Sequence, residues 1–522
     1  MEGKEKEEKS IYVVSFQMKV EKWQSDILDK RFSTLTTIYK DLQRKFLRKF
    51  NFLSKRKDYI EASKTFKGKR EFFMNYSEPW IKIKKGKRTE GTYKPFTEFG
   101  FISYSSKFLG NVSNSGINSS ILSSIARSAW KSWEKMFYGN GRKINFHDKE
   151  INSYKITSNN VGNKIYFIGF DYSKVSSEHI IGIKLNNKIG KNEKIMYIPF
   201  VVNKNSIYEN ICFNDNIKEI GIKRRLVRGK YKYYVFFSFS GKPYNKGRNI
   251  GEGKVGIDLG PSTIAVVSEK NVYIDELAKN IDKYENKLKI LSRKLDRSRR
   301  INNPLQYNEN GTIKKYKKGE RPDWVKTKNY LKIKNNISEI MRKISEKRKL
   351  SHISLANELL KFGSDFIIEN NPVSSWSTKA KETKVNKNGK IKSKKRFGKS
   401  ILNHAPSEFV DILKNKVNSL GGSLTKIDIA NGASQFDFTN QTFTKHSLGE
   451  RRVKLSNGNV HLRDTLAAFN IMNCISNGKK NDNSFDVNKM KANYTKFVEM
   501  EKDEIERHKN CSEKILKSFG IK

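Results

Sequence analysis

The segment KVGIDLGPSTIAVV, Lys254 to Val267, sets one carboxylate, Asp258, inside an otherwise apolar pattern. Val255, Ile257 and Leu259 alternate as one face of a strand, Gly260 and Pro261 mark a turn, and Ile264 to Val267 begins a second strand. A β-hairpin is predicted, with Asp258 on the middle strand of a sheet. A second acid, Glu369, closes the apolar run Phe366 to Ile368 in FGSDFIIENNPVSSW, which reads as a central strand turning at Asn371 and Pro372. A third, Asp464 in VHLRDTLAAFNIMNCI, falls at or just before the first turn of a helix that buries Leu466, Phe469 and Ile471. Asp is an ordinary N-cap, but a helix N-terminus also keeps such an acid ionised. Three carboxylates at strand ends and a helix start suit phosphodiester hydrolysis by two Mg²⁺ ions, about 3.5–4 Å apart, with Mn²⁺ as a substitute. No side-chain base is then required.

The charge of the chain points to the same class of substrate. Its 522 residues carry 105 Lys and Arg against 54 Asp and Glu, a net charge of +51. An AT-rich genome inflates Lys and Asn, yet it does not remove compensating acids. Self-repulsion on this scale is relieved by a polyanion, so nucleic acid is the expected partner. Cys212, Cys474 and Cys511 form no CxxC pair, which signals neither disulfides nor a cysteine zinc site. The start, MEGKEKEEKSIYVVSF, lacks the apolar core of a signal peptide, and no apolar run approaches a membrane span. A cytoplasmic protein with no membrane partner is expected.

The elements that must position the acids follow from periodicity. Ile11 to Val20 reads as a strand and Glu21 to Phe52 as a basic amphipathic helix. In INSSILSSIARSAWKSWEKMFYGNG, Ile117, Ile121, Ile125, Trp130, Trp133 and Phe137 recur at helical spacing as core residues, until Gly139. From Asn163 to Lys242 short β-branched and aromatic runs suggest a small barrel or sandwich. Within it, RLVRGKYKYYVFF alternates cations with tyrosines that either pair phosphate contacts with base stacking or serve strand propensity alone. Two antiparallel helices are predicted from Leu277, Ile281, Tyr284, Leu288, Leu291 and Leu295, and from Tyr330, Ile333, Ile337, Ile340 and Ile344, joined by a basic tip. After Glu369, Lys379 to Lys399 holds ten basic residues and one acid, Glu382. It reads as a loop suited to hold a phosphate backbone near the metals, through Lys390, Lys392, Lys394, Lys395, Arg396 and Lys399. One helix is then expected from Ser400 through Ile401, Ala405, Phe409, Ile412, Leu413 and Val417, followed by the strand SLTKIDI.

With GIDLG, IIENN and RDTLAAFNI stand LDRSRRINNP, KRFGKSILNHAPSEF and GASQFDFTNQTFTKHSLGERR. Together they resemble the RuvC-type nuclease domain of TnpB proteins, transposon-encoded relatives of type V CRISPR effectors. SSIARSAWKSWEKMFYGNGRKINF and GKYKYYVFFSFSGKP are similar to the helical recognition and wedge regions of that family. The resemblance implies an α+β multidomain chain: an RNase H-like RuvC core with a mixed α/β sheet, an N-terminal β-barrel wedge domain and a helical recognition domain. It divides the chain into a wedge at 1–20 and 156–248, a recognition domain at 21–155 and a nuclease domain at 249–428 and 461–478. An insertion at 429–460 and a C-terminal helical tail at 479–522 complete it. It further implies an RNA-guided DNA endonuclease, with Asp258, Glu369 and Asp464 as metal-binding carboxylates. Guide RNA selects target double-stranded DNA beside a short flanking motif, with Arg452 among the nucleic-acid contacts. The setting implied is a prokaryotic cytoplasm, at the nucleoid when on target, with no small-molecule substrate. Many members carry a CxxC…CxxC zinc ribbon in the insertion, whereas 429–463 here has no cysteine, so no zinc is expected.

Other readings compete. VGIDLG followed by Ser-Thr also resembles the first phosphate loop of actin- and chaperone-type ATPases. Those need a second glycine-rich loop and an adenosine pocket, which the sequence lacks, and the positive charge opposes them. A nuclease-inactive RNA-guided DNA-binding repressor, or a transposon-associated DNA-binding accessory protein, would keep the architecture without turnover. The three acids in place count against the first of these.

Overall fold

A computed structural model describes residues 10–84, 87–112, 115–139, 141, 143–161, 164–186, 193–245, 247–279, 281–309, 311–314, 316, 320, 322–371, 373–376, 378, 398–427, 432–447, 449–475 and 484–521. The chain is a mixed α/β protein of two compact units, Met1–Lys246 and Gly247–Lys522. Among the described residues no helix is long and apolar enough to cross a membrane.

In the first unit, β1 (Ile11–Met18), β2 (Ser153–Thr157), β3 (Phe170–Asp171), β4 (Ile180–Lys184), β5 (Ile195–Val201), β6 (Ile217–Val227) and β7 (Lys230–Ser240) form one sheet. Its order is β2-β6-β7-β1-β5-β4-β3. Among the described residues no ladder joins β3 back to β2, so the sheet is not closed by backbone bonds. β3 is two residues long and offers little to pair. The two edges meet through side chains instead: the rings of Tyr154 on β2 and Phe170 on β3 stack 6.5 Å apart. Arg31 reinforces that seam by donating to the Tyr154 hydroxyl at 3.3 Å and to the Ser115 and Lys184 carbonyls at 3.0 and 2.8 Å.

Arg31 lies on α1 (Lys22–Leu53), which starts where Glu21 and Gln24 form a reciprocal capping box. A second long helix, α2 (Ser119–Tyr138), starts at Asn118, whose side chain accepts the Ile121 N–H at 3.0 Å. The aromatic positions of α2 are core, as their spacing indicated: Trp130, Trp133 and Phe137 are buried. The Trp133 indole N–H donates to Gln43 of α1 at 2.7 Å, which satisfies both buried polar groups.

The second unit is built on β8 (Lys254–Leu259), β9 (Thr263–Ser268), β10 (Val272–Glu276), β11 (Asp365–Glu369) and β12 (Ser423–Ile427), in the order β10-β9-β8-β11-β12. β8, β9 and β10 are antiparallel neighbours, whereas β8, β11 and β12 run parallel. Between β10 and β11 stand α3 (Asp282–Ile301) and α4 (Lys328–Leu359), the predicted helix pair, sharing a seam of Ile281, Ile340 and Ile344. Leu277, predicted as the first residue of that seam, belongs to the sheet core instead. Ala278 takes a left-handed backbone (φ 57°) that separates it from the helix.

The single helix expected after Ser400 is two, α5 (Gly398–His404) and α6 (Pro406–Ser419). Pro406 disfavours helical backbone at the residue before it, and Ala405 accordingly sits at φ 41°, ψ 63°. Later come the hairpins β13 (Phe436–Asp437) with β14 (Thr442–Phe443) and β15 (Arg452–Lys454) with β16 (Val460–Leu462). α7 (Arg463–Met472), α8 (Val487–His508) and α9 (Glu513–Phe519) complete the unit.

Alternation along the strands sends successive side chains to opposite faces of this sheet. Val255, Ile257, Leu259, Phe366 and Ile368 pack with Leu355, Leu359, Phe409 and Leu413 of α4 and α6. Ala265, Val267 and Ile367 pack with Leu466, Phe469 and Ile471 of α7, and with Met490 and Phe497 of α8.

Candidate metal and nucleic-acid site

The alternation places the acids. Asp258 is out of phase with Val255, Ile257 and Leu259, and Glu369 is out of phase with Phe366 and Ile368, so both carboxylates belong to the α7 face. β8 and β11 are parallel and in register through Ile257 opposite Ile368, which makes Asp258 and Glu369 the next residues on neighbouring strands. Both therefore lie at the carboxyl ends of adjacent parallel strands, where open α/β sheets bind ligands. Asp464 lies in the first turn of α7.

Gly256 sets how closely that helix approaches. A Cβ there would overlap the Ala468 carbonyl and stand 2.5 Å from the Met472 amide nitrogen, so the backbones of β8 and α7 meet where only glycine fits.

The electrostatics show that the three acids share one environment. Burial, followed by the fields of Asp464 and Glu369, pushes the Asp258 carboxyl well above the usual carboxylate range, while Arg463 and Arg451 act in the opposite direction. Burial also raises Glu369, against the Asn371 side-chain amide, which donates at 3.3 Å, and the Ala433 N–H. Asp464 is held by Arg463 at 3.2 Å and by Arg451 at 3.7 Å.

In the side-chain positions they hold, the acids do not form a three-ligand cluster; among the described residues no group of three or more His, Cys, Asp or Glu has metal-binding spacing. The donor set itself suits a hard divalent cation: carboxylate oxygens, two of which raise the third, Asp258, by repulsion, with two arginines as the local positive charges.

The nucleic-acid candidates fare differently. Lys390, Lys392, Lys394, Lys395 and Arg396 lie outside the described residues. Lys399 falls at the start of α5, whose Ser400 hydroxyl donates to the Pro261 carbonyl at 3.4 Å, in the turn just after Asp258. Arg452 is turned away from the acids: its Nε donates to the Gly520 carbonyl at 2.7 Å, at the end of α9. Its neighbour Arg451 faces Asp464 instead. Each tyrosine of RLVRGKYKYY already has a partner within the protein. Tyr233 is buried in the core, Tyr231 lies under Arg224 at 4.2 Å and Tyr234 under Lys223 at 5.6 Å.

Sequence reasoning missed a support for the third acid. Glu501 of α8 is buried and accepts the Leu462 N–H at 3.0 Å, the hydroxyl of Thr465, and His461 Nδ1 at 2.6 Å. His461 Nε2 in turn meets the Tyr494 hydroxyl at 2.7 Å. The signal was present: Met490, Tyr494, Phe497, Glu501 and Glu504 recur at 4, 3, 4 and 3 residues, so two acids share an apolar stripe and require buried partners.

No protein-family model matches the sequence, and no curated protein matches it. Among the solved structures to which the chain is similar are three nucleic-acid-guided effectors. One, a Cas12f1–sgRNA–target DNA complex, has 12% identity over 89% of this chain and 99% of that one, at a TM-score of 0.45. A CRISPR–Cas12f ternary complex has 11% identity over 88% and 87%, at 0.23. The mini-RNA-guided endonuclease CRISPR-Cas phi3 has 11% identity over 56% and 57%, at 0.29. Likeness at this level fixes neither activity nor partner.

Proposed function

We propose that this chain is an RNA-guided DNA endonuclease of the TnpB and type V effector kind, with its five-stranded sheet and α7 as an RNase H-like core. One observation carries the reading. Two carboxylates end adjacent parallel strands on the face covered by the helix that bears the third, and the other two acids raise the Asp258 carboxyl. A mutually repelling set of this kind is costly in a protein unless cations occupy it. The net charge of +51 supplies the complementary half of the reading, a polyanionic partner on a large scale.

In this reading Asp258, Glu369 and Asp464 would hold Mg²⁺. Bound there, the metal supplies an activated water and stabilises the leaving oxygen. The chain's own residues orient the set. Gly256 brings α7 onto β8, Glu501 fixes the first turn of α7, and Arg451 and Arg463 hold Asp464 while offering positive charge to a phosphate beside it. The basic segment 379–397 is the proposed guide for a DNA strand; the helix that follows it is tied by Ser400 to the turn after Asp258.

The test is direct. RNA recovered with the full-length protein is sequenced, and duplex DNA matching its variable end, beside a randomised flank, is offered with Mg²⁺. Cutting that depends on the match and enriches one flank is expected. No recovered RNA, or cutting indifferent to the match, contradicts the reading.

A further inference from the structure

Asn470 lies in the second half of α7, on the same helix as Asp464, and is completely buried. Its side-chain amide donates twice, to the Ala433 carbonyl at 2.8 Å and to the Phe436 carbonyl at 2.9 Å. An amide oxygen turned toward two carbonyls would repel both, so the donors are fixed in this orientation. The remaining Oδ1 atom is buried and has no hydrogen-bond partner among the described residues. A buried acceptor left in this way is costly, and an apolar side chain of the same size would avoid the cost. What asparagine supplies here is the pair of donors.

The two carbonyls bracket one short turn. Ala433–Gln435 is a single 3₁₀ turn, entered through Gly432 in left-handed backbone (φ 55°) and closed by the Gln435 N–H on the Gly432 carbonyl at 2.8 Å; Phe436 then starts β13. This turn follows β12, whose last residue, Ile427, accepts the Asn370 N–H at 2.7 Å directly after Glu369. Ala433 itself is buried, and its N–H is donated to the Glu369 carboxylate. Ala433 is thus held from both sides, its carbonyl by α7 and its N–H by the second acid. The other donor to Glu369, the Asn371 side chain, stands at 3.3 Å, longer than an ordinary N–H···O bond.

We propose that Asn470 is a positioning residue for the metal site: it fixes the Ala433 turn, whose N–H orients the Glu369 carboxylate. One helix then sets two of the three acids, Asp464 by bearing it and Glu369 through Asn470 and Ala433. Partners of this kind, one step removed from a metal, commonly govern its affinity, and losing one costs about 10–100-fold. Asn470 has this role only if the three acids bind metal, as read above.

The experiment uses the full-length protein with its bound RNA. Asn470→Leu keeps the side-chain size and removes both donors. It should raise the Mg²⁺ concentration for half-maximal guided cleavage by about 10–100-fold, with most of the parent rate recovered at saturating Mg²⁺. The control is Asn473→Leu: Asn473 is also buried, but its side chain donates to the Phe469 carbonyl of its own helix at 2.9 Å. That change should leave the Mg²⁺ requirement where it was, whatever it does to Tm. A second readout needs neither DNA nor metal. Hydrogen exchange of a peptide spanning 432–436, measured in EDTA, should quicken in Asn470→Leu and also in Glu369→Ala, because each releases one side of Ala433. A purely structural asparagine predicts no response to Glu369→Ala. If Asn470→Leu gives no folded protein, Asn470→Ser, which keeps one donor, should show a smaller rise in Mg²⁺ requirement. An unchanged Mg²⁺ requirement in the folded Asn470 variant, an equal rise in Asn473→Leu, or exchange indifferent to Glu369→Ala would overturn the proposal. If the parent shows no Mg²⁺-dependent guided cleavage, the functional reading falls and the positioning role with it. If the parent cleaves and the Asn470 variant matches it at limiting Mg²⁺, only the positioning role falls.

Discussion

The carboxylate of Glu501 accepts the backbone N–H of Leu462 at 3.0 Å and so supplies, from α8, the cap that the first turn of α7 lacks in its own sequence. Leu462 has no side-chain oxygen to satisfy the orphan donors of that turn. The third acid of the site, Asp464, is thus oriented by a residue near the end of the chain. Glu501→Ala should destabilise the protein by about 3 kcal/mol, because it strands the buried His461 and an amide, and should slow DNA cleavage. Glu501→Gln keeps an acceptor and should restore most of the stability. Urea melts paired with cleavage rates check this; a Glu501→Ala protein that cleaves at the parent rate contradicts the positioning role.

Gly256 offers a second test from the opposite side of the same contact. Gly256→Ala should force α7 off β8 at Ala468 and Met472, costing about 1–3 kcal/mol. Cleavage should fall further than stability alone accounts for, since Asp464 moves with the helix. Ala substituted at Gly110, where a Cβ meets nothing, is the control and should leave both readings unchanged.

Crowding of the acids predicts a trade between stability and activity. Burial and the fields of Asp464 and Glu369 raise the Asp258 carboxyl; its ionised form therefore weakens the folded state in metal-free buffer. Asp258→Asn should raise Tm there by roughly 2–4 °C. Mg²⁺ should raise the Tm of the parent and leave the variant nearly unmoved. Differential scanning fluorimetry with and without EDTA decides it; a variant less stable than the parent in EDTA would remove the charge-crowding argument.

The cysteine-free insertion has its own acid-sensitive support. Asp437 accepts from the Thr439 N–H at 2.9 Å and hydroxyl at 2.6 Å, and from the Ser456 N–H and hydroxyl, both at 2.8 Å, joining the hairpins β13–β14 and β15–β16. Burial alone would raise its carboxyl; these hydrogen bonds outweigh it and hold the pKa below the ordinary value. A depressed carboxylate contributes stability above its unfolded pKa, about 3.9, and that contribution is lost as pH falls through the folded value. Asp437→Asn should cost about 1–3 kcal/mol at pH 7, and the gap from the parent should close below roughly pH 4. A gap that is constant from pH 7 to pH 3 contradicts this.

Much of the site was legible because strand periodicity and acid placement are local properties. The alternation around Asp258 and the closing position of Glu369 fix their face once the strands pair. What was not legible depended on tertiary approach. Nothing local to Gly256 tells that a helix starting at Arg463 will press on it, and nothing in GERR tells that Arg451 and not Arg452 turns to Asp464. The break at Ala405 was readable from Pro406, but the apolar spacing across it concealed the boundary. The tyrosines of β7 could be read as stacking platforms or as strand formers alike, and only register shows Tyr233 in the core and Tyr231 beneath Arg224.

The most direct test of the central claim, that Asp258, Glu369 and Asp464 act as one metal-dependent nuclease centre, is guided cleavage by the three single alanine variants and the triple variant, each saturated with RNA. Every single variant should lose at least about a thousandfold in rate while retaining RNA, and the triple variant should be no slower than the singles, as expected of groups that act as a unit. Any single variant within tenfold of the parent rate, or losses that simply multiply in the triple variant, would contradict it.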